Sequence, residues 1–249
     1  MTSQLAAKQT PPVQHEVVNR LLSLMTPADF ALLAPHLAAI ELPRGFVLAH
    51  ADRPIEHIYF IEQGVVSMVA VSPAGHEVEA GLVGPEGLAS TAPLLGSDCT
   101  PNLINVQIPG NSWRIERTTL VAALETSPTL HNLLLRFLQT LIVQTTYTAL
   151  TNAVHPIEER LARWLLMCDD RVPSGEIALT HGFMSVMLAV RRPSVTTALH
   201  ILEGNGFVKA NRACIIVRDR RRMEAFAADS YGKAEAAYQQ LIGDMWARP

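Results

Sequence analysis

The sequence predicts an α+β protein: an N-terminal antiparallel β-roll of jelly-roll-like character, one long helix, and a small helical domain that ends in a β-hairpin. Three observations carry this expectation. Between Glu41 and Glu116, short runs of Val, Ile, Tyr and Phe are separated by Gly, Pro, Asn and Asp at the intervals of a compact antiparallel sheet. From Pro128 to Val154 the chain keeps a helical pattern with no further Gly or Pro. From Thr180 to Val217, two short helical patterns are followed by two short strand patterns around Asn211-Arg212.

The elements follow in chain order. Residues 1–15 are polar, contain Thr10-Pro11-Pro12 and lack periodicity, so they read as a mobile tail ahead of a β-roll sensor domain at 16–126. Val17, Leu21, Leu24, Phe30, Leu33 and Leu37 recur at helical spacing up to Ile40, with a break at Thr26-Pro27, which predicts two short helices. Strands are expected at Phe46–Ala49, His57–Glu62, Val65–Val71, Val78–Val83, Asn102–Ile108 and Ser112–Ile115, with Gln63-Gly64 and Pro73-Ala74-Gly75 as turns. A short helix starts near Thr118, and Ser127-Pro128 supplies a cap and a first-turn proline for the long helix at 127–154. Leu130, Leu134, Phe137, Leu141 and Thr148 form a seam on that helix with nearly alternating spacings of 3 and 4, the pattern of a two-helix interface. Leu133, Leu138, Ile142 and Tyr147 widen the apolar surface, so the helix is expected to pack against its own domain and a second copy, with a buried helix in a monomer as the alternative. His155-Pro156 breaks the chain before a domain at 155–222, and residues 223–249 are a C-terminal extension.

The 249 residues are 49% apolar and 17% charged, a globular composition with room for two domains. No uninterrupted apolar run is long enough to cross a bilayer, and the N-terminus lacks a basic start with an apolar signal core, so a cytoplasmic chain without a membrane partner is expected. Cys99, Cys168 and Cys214 are far apart and form no CxxC pair, which argues against a disulfide framework, a structural metal or an iron–sulfur cluster. No cofactor or metal is expected. Motifs for a nucleophile elbow, a phosphate-binding P-loop or a zinc-protease helix are missing, so an enzyme is not indicated.

The net charge of −3 conceals an asymmetry. Residues 1–154 carry 7 Lys+Arg against 12 Asp+Glu, residues 155–222 carry 11 against 7, and residues 223–249 carry 2 against 4. A basic segment inside an acidic chain is what a localised phosphate-binding face requires. Within it Thr180 can cap a helix that runs to Leu188, Ala189-Val190-Arg191 connects, and Arg192 to Glu203 forms a second helix with Val195, Leu199 and Leu202 inward. Arg191, Arg192, Ser194, Thr196, Thr197 and His200 lie at or near the outward face, where small polar and Arg side chains suit the major groove of DNA. Pro193 occupies a first-turn position, where its missing amide costs nothing. Gly204-Asn205-Gly206 ends the helix, and the hairpin from Phe207 to Val217 is a wing that places Lys209 and Arg212 toward phosphates.

With these residues in place, the chain from about Leu21 to Arg222 resembles the Crp/Fnr family of bacterial regulators. The stretch Arg191-Arg192-Pro-Ser-Val-Thr-Thr-Ala-Leu-His-Ile-Leu-Glu, then Gly-Asn-Gly-Phe-Val, looks like that family's recognition helix and wing entry. The resemblance implies a winged helix-turn-helix transcriptional regulator, double-stranded DNA and RNA polymerase as partners, and a homodimer on a two-fold symmetric operator. It also implies a small-molecule effector in the β-roll, near Gly84, Glu86, Gly87, Leu88 and Thr100.

Two departures qualify this. Where the family pattern has Ser-Arg-Glu-Thr-Val, this chain has Arg191-Arg192-Pro193-Ser194-Val195, which keeps an Arg able to pair with guanine but lacks the acid that accepts from cytosine. The Gly-Glu and Arg-Ser pairs that hold a cyclic nucleotide in some members are absent from Gly84–Ser90 and Cys99–Asn102, so cAMP is not the expected effector. Two other readings remain open: a sensor or assembly module of the same fold without DNA activity, and a β-barrel metalloprotein built on His50, His57, His76, Glu77 and Glu79.

Overall fold

The computed structural model describes residues 11–211 and 214–243. The chain divides into two compact units, residues 1–68 with 82–139 and residues 69–81 with 140–249.

The first unit starts earlier than the sequence suggests. Gln14–Glu16 form a 3-10 turn, and the Gln14 side-chain amide donates to the carbonyls of Leu22 at 3.2 Å and Met25 at 2.8 Å. The tail expected over 1–15 therefore gives way to ordered structure by Gln14, and residues 1–10 lie outside the described part. Helices α1 (Arg20–Leu24) and α2 (Pro27–Leu33) are capped by Asn19 and Thr26, whose side chains accept from the amides of Leu22 and Asp29.

The helical pattern that reached Ile40 in the sequence stops at Leu33. Pro35 sits in a 3-10 turn, and Leu37 is already extended. Strand β1 (Ala38–Leu42) then buries Ile40 and Leu42 while Glu41 faces solvent, a period-2 pattern too short to stand out beside the preceding helix.

The remaining strands are β2 (Val47–Ala49), β3 (His57–Val71), β4 (Glu77–Val83), β5 (Leu88–Ala89) and β6 (Asn102–Glu116). They form one six-stranded sheet of order β1-β6-β3-β4, with β2 beside β6 and β5 beside β3. Its core is built on Ile58, Phe60, Leu82, Leu88, Val106 and Ile115.

The expected turn at Gln63-Gly64 is not a turn. Strand β3 runs through it, and β6 likewise absorbs two predicted strands. Gly64 has φ +93°, and a Cβ there would stand 2.5 Å from the Ile108 carbonyl oxygen; a Cβ on Gly110 would stand 1.9 Å from that of Gln63. The two glycines let adjacent backbones close on each other where any side chain would collide. Pro73-Ala74-Gly75 is the true turn, closed by Ser72 and His76.

Helix α3 (Arg117–Thr126) leads to α4 (Pro128–Val154), and the unit boundary falls within α4 between Gln139 and Thr140. The Ser127 hydroxyl accepts from the Leu130 amide and donates to Asp29, whose other oxygen accepts from Thr129 at 2.7 Å. Burial pulls the Asp29 carboxyl upward, but the hydroxyls of Ser127, Thr129 and Thr26 and a Thr26 backbone contact outweigh it and hold the group below the usual range.

The second unit contains the end of α4, then α5 (Ile157–Asp169), β7 (Glu176–Ile177), α6 (His181–Met187), α7 (Arg192–Gly204), β8 (Val208–Asn211), β9 (Cys214–Val217), α8 (Arg220–Ala227) and α9 (Lys233–Leu241). Helix α5 is its axis, with Leu161, Trp164, Leu165 and Cys168 almost fully buried. Residues 69–81, the distal part of the β3–β4 hairpin, belong to this unit, and the Trp164 indole donates to Glu79 at 2.7 Å.

Met223, Ala227 and Tyr238 are buried, so the expected extension 223–249 is part of this unit as far as Gly243. Tyr231 donates to Asp170 at 2.7 Å, and Arg220 bonds Asp169, Asp170 and Tyr231. Burial lifts the Asp170 carboxyl to about 6 while Arg220 pulls the other way.

Candidate nucleic-acid interface

The candidate interface is assembled from α6, α7 and the β8–β9 hairpin. Thr180 caps α6 by accepting from the Phe183 amide at 3.3 Å. Leu188 and Ala189 then turn the chain, Ala189 with φ +51°, and α7 begins at Arg192 with Pro193 in its first turn. Val195, Ala198, Leu199 and Leu202 are buried beneath α7, as its periodicity required.

Its opposite face is polar and open. Arg191, Arg192, Thr197 and His200 are exposed, and Ser194 and Thr196 are half-buried. The hydroxyls of Thr196 and Thr197 donate back to the carbonyls of Arg192 and Pro193, at 3.2 and 3.1 Å, so their methyl groups and remaining oxygen lone pairs are what a ligand would meet. The Arg192 guanidinium lies against α6: a Cβ on Gly182 would come within 2.7 Å of it. Glycine there leaves room for the arginine to rest across the first turn of α6.

Beside this face lies a three-stranded sheet of order β7-β9-β8, with Lys209 paired to Ile216 and its side chain exposed. Arg212, the other basic residue expected on the wing, falls outside the described residues.

The basic count of the segment overstates its outer charge. Arg163 and Arg171 are 5% and 4% exposed, with Arg163 donating to Thr148 and Arg171 to the Met167 carbonyl. Arg160 and Arg220 are likewise engaged inside the unit. Arg222 lies 5.3 Å from the Phe207 ring centre and 3.8 Å from the Asp219 carboxylate, yet stays exposed. Arg218 and Arg221 are exposed, and they join Arg191, Arg192 and Lys209 as outward cations. The run Arg218-Asp219-Arg220-Arg221-Arg222 was the sequence signal for them, but its spacing alone did not say which members face inward.

Comparison with known proteins matches this architecture. A cyclic nucleotide-binding domain model covers residues 39–127, and a Crp-like helix-turn-helix domain model covers residues 159–226. The chain carries the two domains of a Crp/Fnr-like regulator. FixK2 of Bradyrhizobium japonicum superposes with TM-score 0.66 at 18% identity, over 77% of this chain and 98% of that one. The c-di-GMP responsive global regulator CLP of Xanthomonas campestris gives 0.62 at 16% identity, over 77% and 99%. A Crp/Fnr-family transcriptional regulator of Thermus thermophilus gives 0.61 at 17% identity, over 76% and 97%. No curated protein matches the chain.

In this Crp/Fnr-like chain the loop expected to hold an effector is closed on itself. The Gly84 amide donates to Glu86, and the Gly87 amide to the Gly84 carbonyl. The Pro85 carbonyl accepts from the Arg20 amide, and the Gly87 carbonyl accepts from Ile61 and from the Asn19 side chain. Glu62 fixes the same N-terminal segment by accepting from the amides of Val18 and Asn19, both at 2.9 Å; burial pushes its carboxyl up. A Cβ on Gly87 would come within 2.2 Å of the Phe137 ring, so α4 packs onto the loop without a gap. Glu86 and Leu88 are 5% and 0% exposed. Thr100 contacts other groups, its carbonyl accepting from Asp52 and its hydroxyl from the Asn102 amide.

The pairing seam is corrected on α4. Leu130, Leu134, Phe137 and Leu141 are at most 4% exposed within the single chain, so they cannot also face a second copy. Thr148 is engaged too, donating to the Gln144 carbonyl and accepting from Arg163. The apolar residues left open are Leu135, Ile142, Leu150 and Val154, at 36%, 50%, 46% and 65%, with Ala149 and Ala153 between them. Periodicity had found the helix's inner face.

The residues of the metalloprotein reading are dispersed among other contacts: His57 bonds Glu116, His76 bonds Ser72, and Glu79 accepts from Trp164. Among the described residues no group of three or more His, Cys, Asp or Glu is placed to hold a metal, and no helix is long and apolar enough to cross a membrane.

Proposed function

We propose that this chain is a transcriptional regulator that binds double-stranded DNA as a homodimer and reads a two-fold symmetric operator with α7. The observation that carries this reading is the open polar face of α7, with Arg192, Thr197 and His200 exposed beside the exposed Lys209 of the wing. Arg192 is the base reader, suited to the O6 and N7 edge of guanine. Thr180, Arg191, Ser194, Thr196 and Lys209 supply phosphate and groove contacts that set position, as does Arg212, and Arg218 and Arg221 extend the phosphate-binding face. The β-roll responds to an effector other than a cyclic nucleotide, and RNA polymerase is the protein partner. The chain acts in the cytoplasm and catalyses no reaction.

Selection from random duplex DNA tests this. The expected product is a symmetric motif whose half-sites lie about one helical turn apart. Arg192→Ala then costs about 1–3 kcal/mol of discrimination at one base pair, and Lys209→Ala weakens binding to all sequences alike while lowering the salt slope by about one. Recovery of no motif refutes the reading, and uniform loss in both variants refutes the role of Arg192.

A further inference from the structure

The inner arginines of the DNA-binding unit have a task of their own. The C-terminal carbonyls of a helix have no intrahelical partner, and a buried one needs a donor from elsewhere. At the end of α6 the chain cannot supply one to Leu188: Ala189 turns into the left-handed region, and the Val190 amide goes back to the Ser185 carbonyl. Leu188 is 4% exposed. Its carbonyl is met by a terminal nitrogen of Arg160, a cation at the negative end of a helix.

The same guanidinium has a second partner. Its Nε donates to the Asn152 side-chain oxygen at 3.0 Å, and Asn152 lies near the end of α4. One turn further along α5, Arg163 also reaches back to α4, donating to Thr148 at 3.2 Å. A guanidinium is planar, with donors fixed in a fork, so two acceptors bound to it are held in one relative geometry; an ammonium on a flexible stem does not do this. Arg192, the first residue of α7, follows Leu188 by one short turn.

We propose that Arg160 is a positioning residue for DNA recognition: it locks the α6–α7 turn to the C-terminal end of α4, so that the direction of α7 follows the helix that pairs the two copies. This rests on the DNA-binding reading above for its consequence, though not for its geometry. Arg160 itself touches no DNA.

The experiment uses the full chain with Asn152→Ala and Arg160→Lys. Alanine favours a helix, and neither change removes buried apolar volume, so the fold is retained. The first readout is hydrogen exchange at the Ala189 and Val190 amides, expected to quicken about tenfold or more in both variants. The second is affinity for the selected operator against the same operator with its half-sites moved one base pair further apart. Both variants are expected to lose about fivefold or more of this spacing preference while keeping wild-type affinity for a single half-site, and the double variant to do no worse than either. Asn152→Asp retains the acceptor and should behave as wild type.

Unchanged exchange and unchanged spacing preference in Asn152→Ala overturn the proposal, as do equal losses on single and paired half-sites. If the wild-type chain selects no DNA, the DNA-binding reading falls, and the exchange measurement still decides whether Arg160 holds the turn to α4.

Discussion

The reassigned face of α4 gives a quantitative prediction for assembly. Ile142 and Leu150 are 50% and 46% exposed in the single chain. Complete burial of such a side chain is worth about 1.5–3 kcal/mol, so covering the exposed half returns about 0.7–1.5 kcal/mol for each. Two side chains from each of two copies give about 3–6 kcal/mol, or roughly a hundredfold to ten-thousandfold in the dimer dissociation constant. Replacing both with aspartate removes this gain and opposes like charges across the interface. Sedimentation equilibrium should show the wild type dimeric at micromolar concentration and Ile142→Asp/Leu150→Asp monomeric, with an unchanged far-ultraviolet spectrum. Leu134→Ala is the contrasting variant: Leu134 is 0% exposed, so this change should lower folding stability by about 2–5 kcal/mol and leave association intact in whatever remains folded. A double aspartate variant that stays dimeric, or a Leu134→Ala variant that dissociates while keeping its stability, would refute the assignment.

Two further outcomes concern the β-roll. Gly87→Ala drives a methyl group into the buried Phe137 ring and should lower stability by about 1–3 kcal/mol in thermal or denaturant unfolding, with recovery when Phe137→Leu is added; a neutral Gly87→Ala would show that the loop and α4 are not in contact. Calorimetric titration with cAMP and with cGMP should give no tight binding, since the amides of Gly84 and Gly87 and the carbonyls of Gly84, Pro85 and Gly87 are already paired and no arginine stands in the loop's sequence to balance a phosphate; submicromolar binding of either would sink that expectation.

What the sequence made legible, and what it did not, follows from the range of the forces involved. Caps and first-turn prolines act within a few residues, and Thr26, Ser127 and Thr180 each begin a helix where the local pattern put it. Gly64 failed as a turn marker because its requirement is non-local. Its positive φ and bare Cα serve an approach to Ile108 and Pro109, more than forty positions along, and a glycine that permits close packing reads the same as one that permits a turn. Strand β1 was hidden for the opposite reason: five residues are too few for a period-2 pattern to outweigh the helical one before them.

The long helix and the basic segment share a deeper ambiguity. A hydrophobic period identifies a buried face without saying whether the cover is the chain's own domain or another copy. On α4 the stronger apolar row, Leu130 to Leu141, is covered by the chain itself. A charge count has the same blindness. Eleven cations in 155–222 suggested an outward face, yet Arg160, Arg163, Arg171 and Arg220 point inward to carbonyls, hydroxyls and carboxylates. That spends no charge on DNA, but it fixes the geometry from which the exposed cations act. A surface that must reach phosphates at set spacings needs rigid support as much as it needs charge, and in this unit arginine supplies both. Substituting inward arginines should therefore alter how well the two recognition helices match a spacing, whereas substituting outward ones should alter how strongly they hold any DNA at all.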